Sequence, residues 1–112
     1  MAKVPTVNLE DVYRGDSYSK TLTFLDGENA RNLSGRTWLS QVRPSVDSDV
    51  VCCEFLVDTT EASRGIITIS LSSTSTALLS PLCVWDLQST TSGNDVETLC
   101  GGYVYVVSDV TR

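Results

Sequence analysis

Two alternating segments near the end of the chain leave few folds open to it. Residues 82–90 put Cys83, Trp85 and Leu87 on one face and Val84, Asp86 and Gln88 on the other. Residues 96–107 follow after Ser92-Gly93-Asn94-Asp95, a turn whose Gly and Asn tolerate positive φ. A period of two belongs to strands, because successive side chains leave a strand on opposite faces. The second segment is rich in Val and Tyr and runs almost into the last residues. Chain ends fray unless they are tied down, so such a strand must pair in a sheet, within this molecule or with a neighbour. Gly101-Gly102 inside it reads as a bulge or a close backbone approach.

The rest of the chain repeats this pattern. Residues 4–13 form a weak first strand, limited to a sheet edge by Pro5. Residues 18–25 alternate Tyr18, Leu22 and Phe24 against Ser17, Ser19, Thr21 and Thr23, and Asp26-Gly27-Glu28-Asn29 is a hairpin turn. Residues 36–43 place Trp38, Ser40 and Val42 inward, and Pro44 ends the run. Residues 50–57 read as one strand with Cys53, Phe55 and Val57 inward, and residues 66–72 carry Ile67, Ile69 and Leu71 on one face. Residues 73–80 are the one plausible helical turn, with Leu78 and Leu79 plugging an end of the core. About seven strands linked by hairpin-length turns predict an all-β, antiparallel β-sandwich. Both tryptophans are expected inside it, each facing the other's sheet.

At 112 residues the chain is expected to form a single domain, residues 1–112, with an extended N-terminal segment over about residues 1–8. A net charge of −6 with scattered Lys and Arg argues against a nucleic-acid partner, which needs clustered basic residues. No apolar run approaches a membrane span, and Met-Ala-Lys-Val-Pro-Thr-Val lacks the apolar stretch of a secretory signal, so the expected site of synthesis is the cytosol. In that compartment the four cysteines, Cys52, Cys53, Cys83 and Cys100, are expected as reduced core thiols. One disulfide, Cys53 with Cys83 or Cys100, is the alternative. Zinc lacks both histidine and a C-x-x-C spacing here, and no cofactor is expected.

Candidate chemistry is thin. With no histidine there can be no Ser–His or Cys–His nucleophile pair. Glu10, Asp11, Asp16 and Asp86 are the carboxylates to weigh for acid–base work, but each sits among Thr, Ser and Gln on a strand face that reads as solvated. Asp86 is expected to point outward and pair with Arg43 or Arg36 across a strand. Asp47-Ser48-Asp49 and Asn94-Asp95 fall short of the six or more oxygens that calcium usually takes. Arg14-Gly15-Asp16 could be an integrin-type tripeptide, but a glycine turn with Arg and Asp solvated or locally paired accounts for it. An enzyme is not expected.

Tyr13-Arg14-Gly15-Asp16-Ser17, Leu22-Thr23-Phe24, Asp26-Gly27, Asn32-Leu33-Ser34-Gly35 and Gln41-Val42-Arg43 stand in an order that resembles the opening of small immunoglobulin-like phage proteins. These are similar to the N-terminal domain of phage baseplate upper proteins. Gly65 to Leu71, Ala77-Leu78, Trp85-Asp86-Leu87-Gln88 and the close from Gly102 to Arg112 continue the likeness over nearly the whole chain. Cys83 departs from it, standing where a Gly-Tyr pair is common. The resemblance implies an immunoglobulin-like sandwich and a structural component of a bacteriophage particle (tail, baseplate, neck or capsid accessory protein). Such a protein would be assembled in the host cytoplasm and carried in the virion, with other virion proteins and copies of itself as partners. Assembly is then expected through the chain ends, with Val4, Pro5, Thr6, Arg14, Asp109 and Arg112 as partner-binding residues. Residues 1–8 should accordingly be dispensable for folding. The alternative is a carbohydrate- or host-surface-binding module, which would show exposed aromatics in a groove.

Overall fold

The computed structural model describes residues 5–108, and almost all of their regular structure is strand. A six-stranded sheet is built from β1 (Leu9–Tyr13), β5 (Thr37–Leu39), β6 (Gln41–Arg43), β7 (Cys53–Glu54), β10 (Leu82–Thr90) and β11 (Val96–Val107). A three-stranded antiparallel sheet holds β2 (Tyr18–Thr23), β9 (Ile66–Leu71) and β8 (Leu56–Asp58) in that order. The hairpin β3 (Leu25–Asp26) and β4 (Asn29–Ala30) turns at Gly27, whose φ of 67° suits a residue without a Cβ. The helical elements are a 3-10 turn over Ala62–Arg64 and α1 (Ser73–Thr76), capped by the Ser72 hydroxyl, which accepts from the Ser75 N–H.

The hairpin β10–β11 organises the larger sheet. Its strands pair from Leu82↔Tyr105 to Thr90↔Val96, and β10 also pairs with β5 and β6 on its other side. Cys83, Trp85 and Leu87 face inward as their alternation requires, and all three are buried. The bulge in β11 falls at Leu99, because the register steps from Leu87↔Cys100 to Gln88↔Thr98. One extra residue turns two successive side chains inward, and Leu99 and Cys100 are both buried. Gly101 and Gly102 therefore serve the close approach: a Cβ on Gly102 would lie 2.5 Å from the Val7 carbonyl oxygen.

What approaches there is the N-terminal segment, and its described part, residues 5–8, corrects the expectation that this segment adds little to the fold. The Val7 N–H donates to Gly101 O at 2.9 Å, and the Gly101 N–H donates to Pro5 O at 3.3 Å. The Trp85 indole N–H donates to Val7 O at 2.8 Å, and the Tyr103 N–H to Asn8 Oδ1 at 3.0 Å. From there β1 runs parallel to β11, so the larger sheet is mixed rather than antiparallel throughout. β1 is an edge strand, as Pro5 implies. Its register jumps between Leu9↔Val104 and Val12↔Val106, with Asp11 at φ 57° taking up the extra residue. That irregularity lets Leu9 and Val12, three apart, both reach the core.

Residues 50–57 are not one strand. Cys53 pairs with Val42 in the larger sheet, whereas Leu56 pairs with Ser70 in the smaller one. Phe55 is the corner: its N–H donates to Ser40 O at 2.8 Å, and its ring meets Trp85 edge-on, 5.6 Å between centroids. Ser40 interrupts the run over residues 36–43 for the same reason, its hydroxyl donating to Asp86 O at 2.6 Å. Buried residues of both sheets then form one core, Leu22, Ile67, Ile69 and Leu71 from the smaller and Leu9, Val42, Trp85 and Val104 among those from the larger. Both tryptophans belong to the larger sheet, so they do not face each other's sheet, and Trp38 is only half-buried. Of the two leucines after α1, Leu79 is buried while Leu78 is 63% exposed.

One ionic cluster ties residue 31, just after β4, to this sheet. Arg31 grips the Glu97 carboxylate with one nitrogen at 2.7 and 2.9 Å, and Arg36 adds a bond at 2.9 Å. The Arg31 hydrogen bond holds the Glu97 carboxyl below its ordinary value of 4.5, with the charges of both arginines adding to the effect. A folded pKa below the unfolded one stabilises above the unfolded value and loses that contribution as pH falls through the folded value. Glu97→Gln should therefore cost about 1 kcal/mol at pH 7, since the cluster is partly exposed, and the difference should shrink at an acid pH below 4.5, as the folded carboxylate takes up its proton. Urea melts at the two pH values check both halves.

Candidate functional site

The outer face of the larger sheet carries a groove of about 830 Å³. Its centre follows from strand register. Asp86 on β10 lies opposite Gly101 on β11, so no side chain covers the carboxylate on that side. One step along, Arg43, Val84 and Tyr103 line up across β6, β10 and β11. In the other direction Gln88 lies beside Leu39. Tyr103 is 48% exposed and stands beside Tyr105, with 6.1 Å between ring centroids. Val46 overhangs the groove from the loop that Arg43 closes by donating to Ser48 O at 2.6 Å.

Asp86 points outward, as the alternation of β10 requires, but it forms no ion pair among the described residues. Arg43 bonds Ser48 O and Gln41 Oε1, and Arg36 is held by Glu97 and the Ser89 hydroxyl. The reason is competition: each arginine has a nearer acceptor that fixes it elsewhere. Among the described residues the Asp86 carboxylate accepts no hydrogen bond. Burial raises its carboxyl above the ordinary range, and the charge of Arg43 partly offsets that rise.

The other candidates are dispersed. The Arg14-Gly15-Asp16 tripeptide is a turn docked on α1: Arg14 Nε donates to Leu79 O at 3.1 Å, and the Gly15 N–H donates to the Thr76 hydroxyl at 3.0 Å. That hydroxyl in turn donates to Asp16 O at 2.8 Å, which explains why Thr76 is buried without being apolar. Gly15 has φ 91°, a conformation that favours glycine. Pro5 and Thr6 are exposed, with Thr6 bridged to Gly101. Val4, Asp109 and Arg112 lie outside the described residues. Asp11, Asp16 and Glu10 sit on exposed backbone, and no three acidic, thiol or imidazole side chains gather into a metal-binding set among the described residues.

All four cysteines are free thiols, Cys83 and Cys100 buried and Cys52 and Cys53 half-buried. Burial pushes the Cys53 thiol up to about 11 and the Cys100 thiol to about 12. A thiolate is the reactive form, so these groups are quiet at neutral pH. In the native protein at pH 7, Cys83 and Cys100 should resist Ellman's reagent for as long as the fold persists. All four should titrate at once in guanidinium.

The sequence signal for the groove was present in Gly101-Gly102 opposite an outward Asp86, but only the register brings them together. Trp38 and Trp85 pack on the core, whereas Tyr103 is an exposed aromatic that lines the groove. No protein-family profile matches the chain, and no curated protein shows significant similarity to it.

Proposed function

We propose that the protein is a structural component of a bacteriophage particle, an immunoglobulin-like β-sandwich that acts by assembly with other virion proteins and with copies of itself. The observation that carries the reading is the smaller sheet. Its outer strands β2 and β8 are each paired on one side only, by β9, among the described residues. Free strand edges present backbone N–H and C=O groups in register for a partner's strand. Beside this edge Leu56 is 74% exposed, an apolar side chain that a partner would cover. The ordered motifs from Arg14-Gly15-Asp16-Ser17 to Trp85-Asp86-Leu87-Gln88 supply the phage component of the reading. The immunoglobulin-like arrangement is supported by the parallel pairing of the first strand with the last and by the crossing between sheets at Phe55.

Quantitative mass spectrometry of purified particles of the encoding phage tests the proposal. A fixed copy number relative to the major capsid protein is the expected result. Absence from washed particles, with the protein present in the lysate, would overturn it.

A further inference from the structure

We infer that the groove on the outer face of the larger sheet binds a neutral saccharide, with Asp86 as its central acceptor and the ring of Tyr103 as its stacking wall. This goes beyond assembly, since it lies on the opposite sheet from the free edges of β2 and β8.

Four features of the groove select this ligand class. Its volume of about 830 Å³ is in the range of small-molecule sites. Its floor is opened by glycine: a Cβ on Gly101 would come within 3.1 Å of the Asp86 Cβ, so any other residue there would crowd the carboxylate. Its polar groups are unspent, for Asp86, Gln88 and Thr98 carry no side-chain hydrogen bond among the described residues. A half-buried acceptor without a donor gains from a ligand that brings hydroxyl donors. Finally, the groove is electrically balanced, lined by one carboxylate, Asp86, and one guanidinium, Arg43, on a chain of net charge −6. Arg43 weakens the case for a cationic peptide, and Asp86 that for a phosphate or an acidic glycan. A neutral polyhydroxyl ligand matches both, and the exposed Tyr103 face offers the apolar surface on which the C–H side of a pyranose rests.

The test begins with the purified full chain on a printed array of neutral oligosaccharides of glucose, galactose, mannose, rhamnose and N-acetylhexosamines. Any array-positive sugar is then titrated into isotopically labelled protein. Binding should shift the amide resonances of Val84, Asp86, Gly101 and Tyr103. Asp86→Ala and Tyr103→Ala should each weaken binding at least tenfold with circular dichroism unchanged, while Leu56→Ala on the other sheet should leave it as in wild type. The wild-type shift map decides the case if a variant fails to fold. No neutral sugar bound at millimolar concentration, shifts confined to the smaller sheet, or folded groove variants that bind like wild type would each overturn the inference.

Discussion

Trp85→Ala should destabilise the protein by about 3–5 kcal/mol, enough to unfold much of the population of a small domain. Trp85 is 4% exposed, meets Phe55 edge-on, and donates its indole N–H to Val7 O. Its truncation removes the ring that fills the corner where the chain changes sheets. Trp85→Phe separates packing from hydrogen bonding, because it keeps an aromatic ring and loses the donor to Val7 O. That variant should cost about 1–2 kcal/mol. Urea melts followed by circular dichroism measure both. A Trp85→Ala protein as stable as wild type would mean that the corner collapses around the gap at no cost.

Deleting residues 1–8 should cost about 2–4 kcal/mol, since the segment caps that same indole. Without Val7 the Trp85 N–H loses its acceptor and Gly101 loses both of its backbone partners on that side. The half-buried Val7 side chain adds the loss of apolar contact with the core. A single substitution reaches the same contact from the other side. Gly102→Ala would drive a Cβ against Val7 O and Asn8 Oδ1, so it should reproduce part of the deletion's effect. If the truncated chain melts at the wild-type urea concentration, the strap is ornamental and residues 1–8 are free for a partner.

Strong period-two segments were legible from residue types alone. The bounds Leu82–Thr90 and Val96–Val107 follow directly from the alternation around Trp85 and the Ser92-Gly93-Asn94-Asp95 turn. The inward set Ile67, Ile69 and Leu71 follows in the same way. What period could not reveal is where a strand changes partners. Phe55 keeps its inward place in the alternation while the backbone passes from one sheet to the other, so the pattern is unbroken and the strand is not. Parallel pairing of β1 with β11 was equally hidden, because partner direction leaves no mark on which side chains are apolar. The extra residues at Asp11 and Leu99 break the alternation, and there a glycine pair drew attention two residues too late. The groove depends on register across β6, β10 and β11, and its acid reads in sequence as one more outward polar residue.

The pairing of β1 with β11 also sets a timetable for folding. Leu9 cannot find Val104 until the residues through Val104 have left the ribosome. Until then the inner face of β10, with Trp85, has neither its β11 neighbour nor the full core that the finished sheet encloses. Closing so long a loop is entropically costly, and folds dominated by distant pairings are slow, in the range of milliseconds to seconds. The smaller sheet can form sooner, because β2, β8 and β9 are complete by Leu71. A nascent chain would therefore carry the smaller sheet and a waiting first strand, making the interval between Leu71 and Val107 the stage at which its apolar faces stand most exposed.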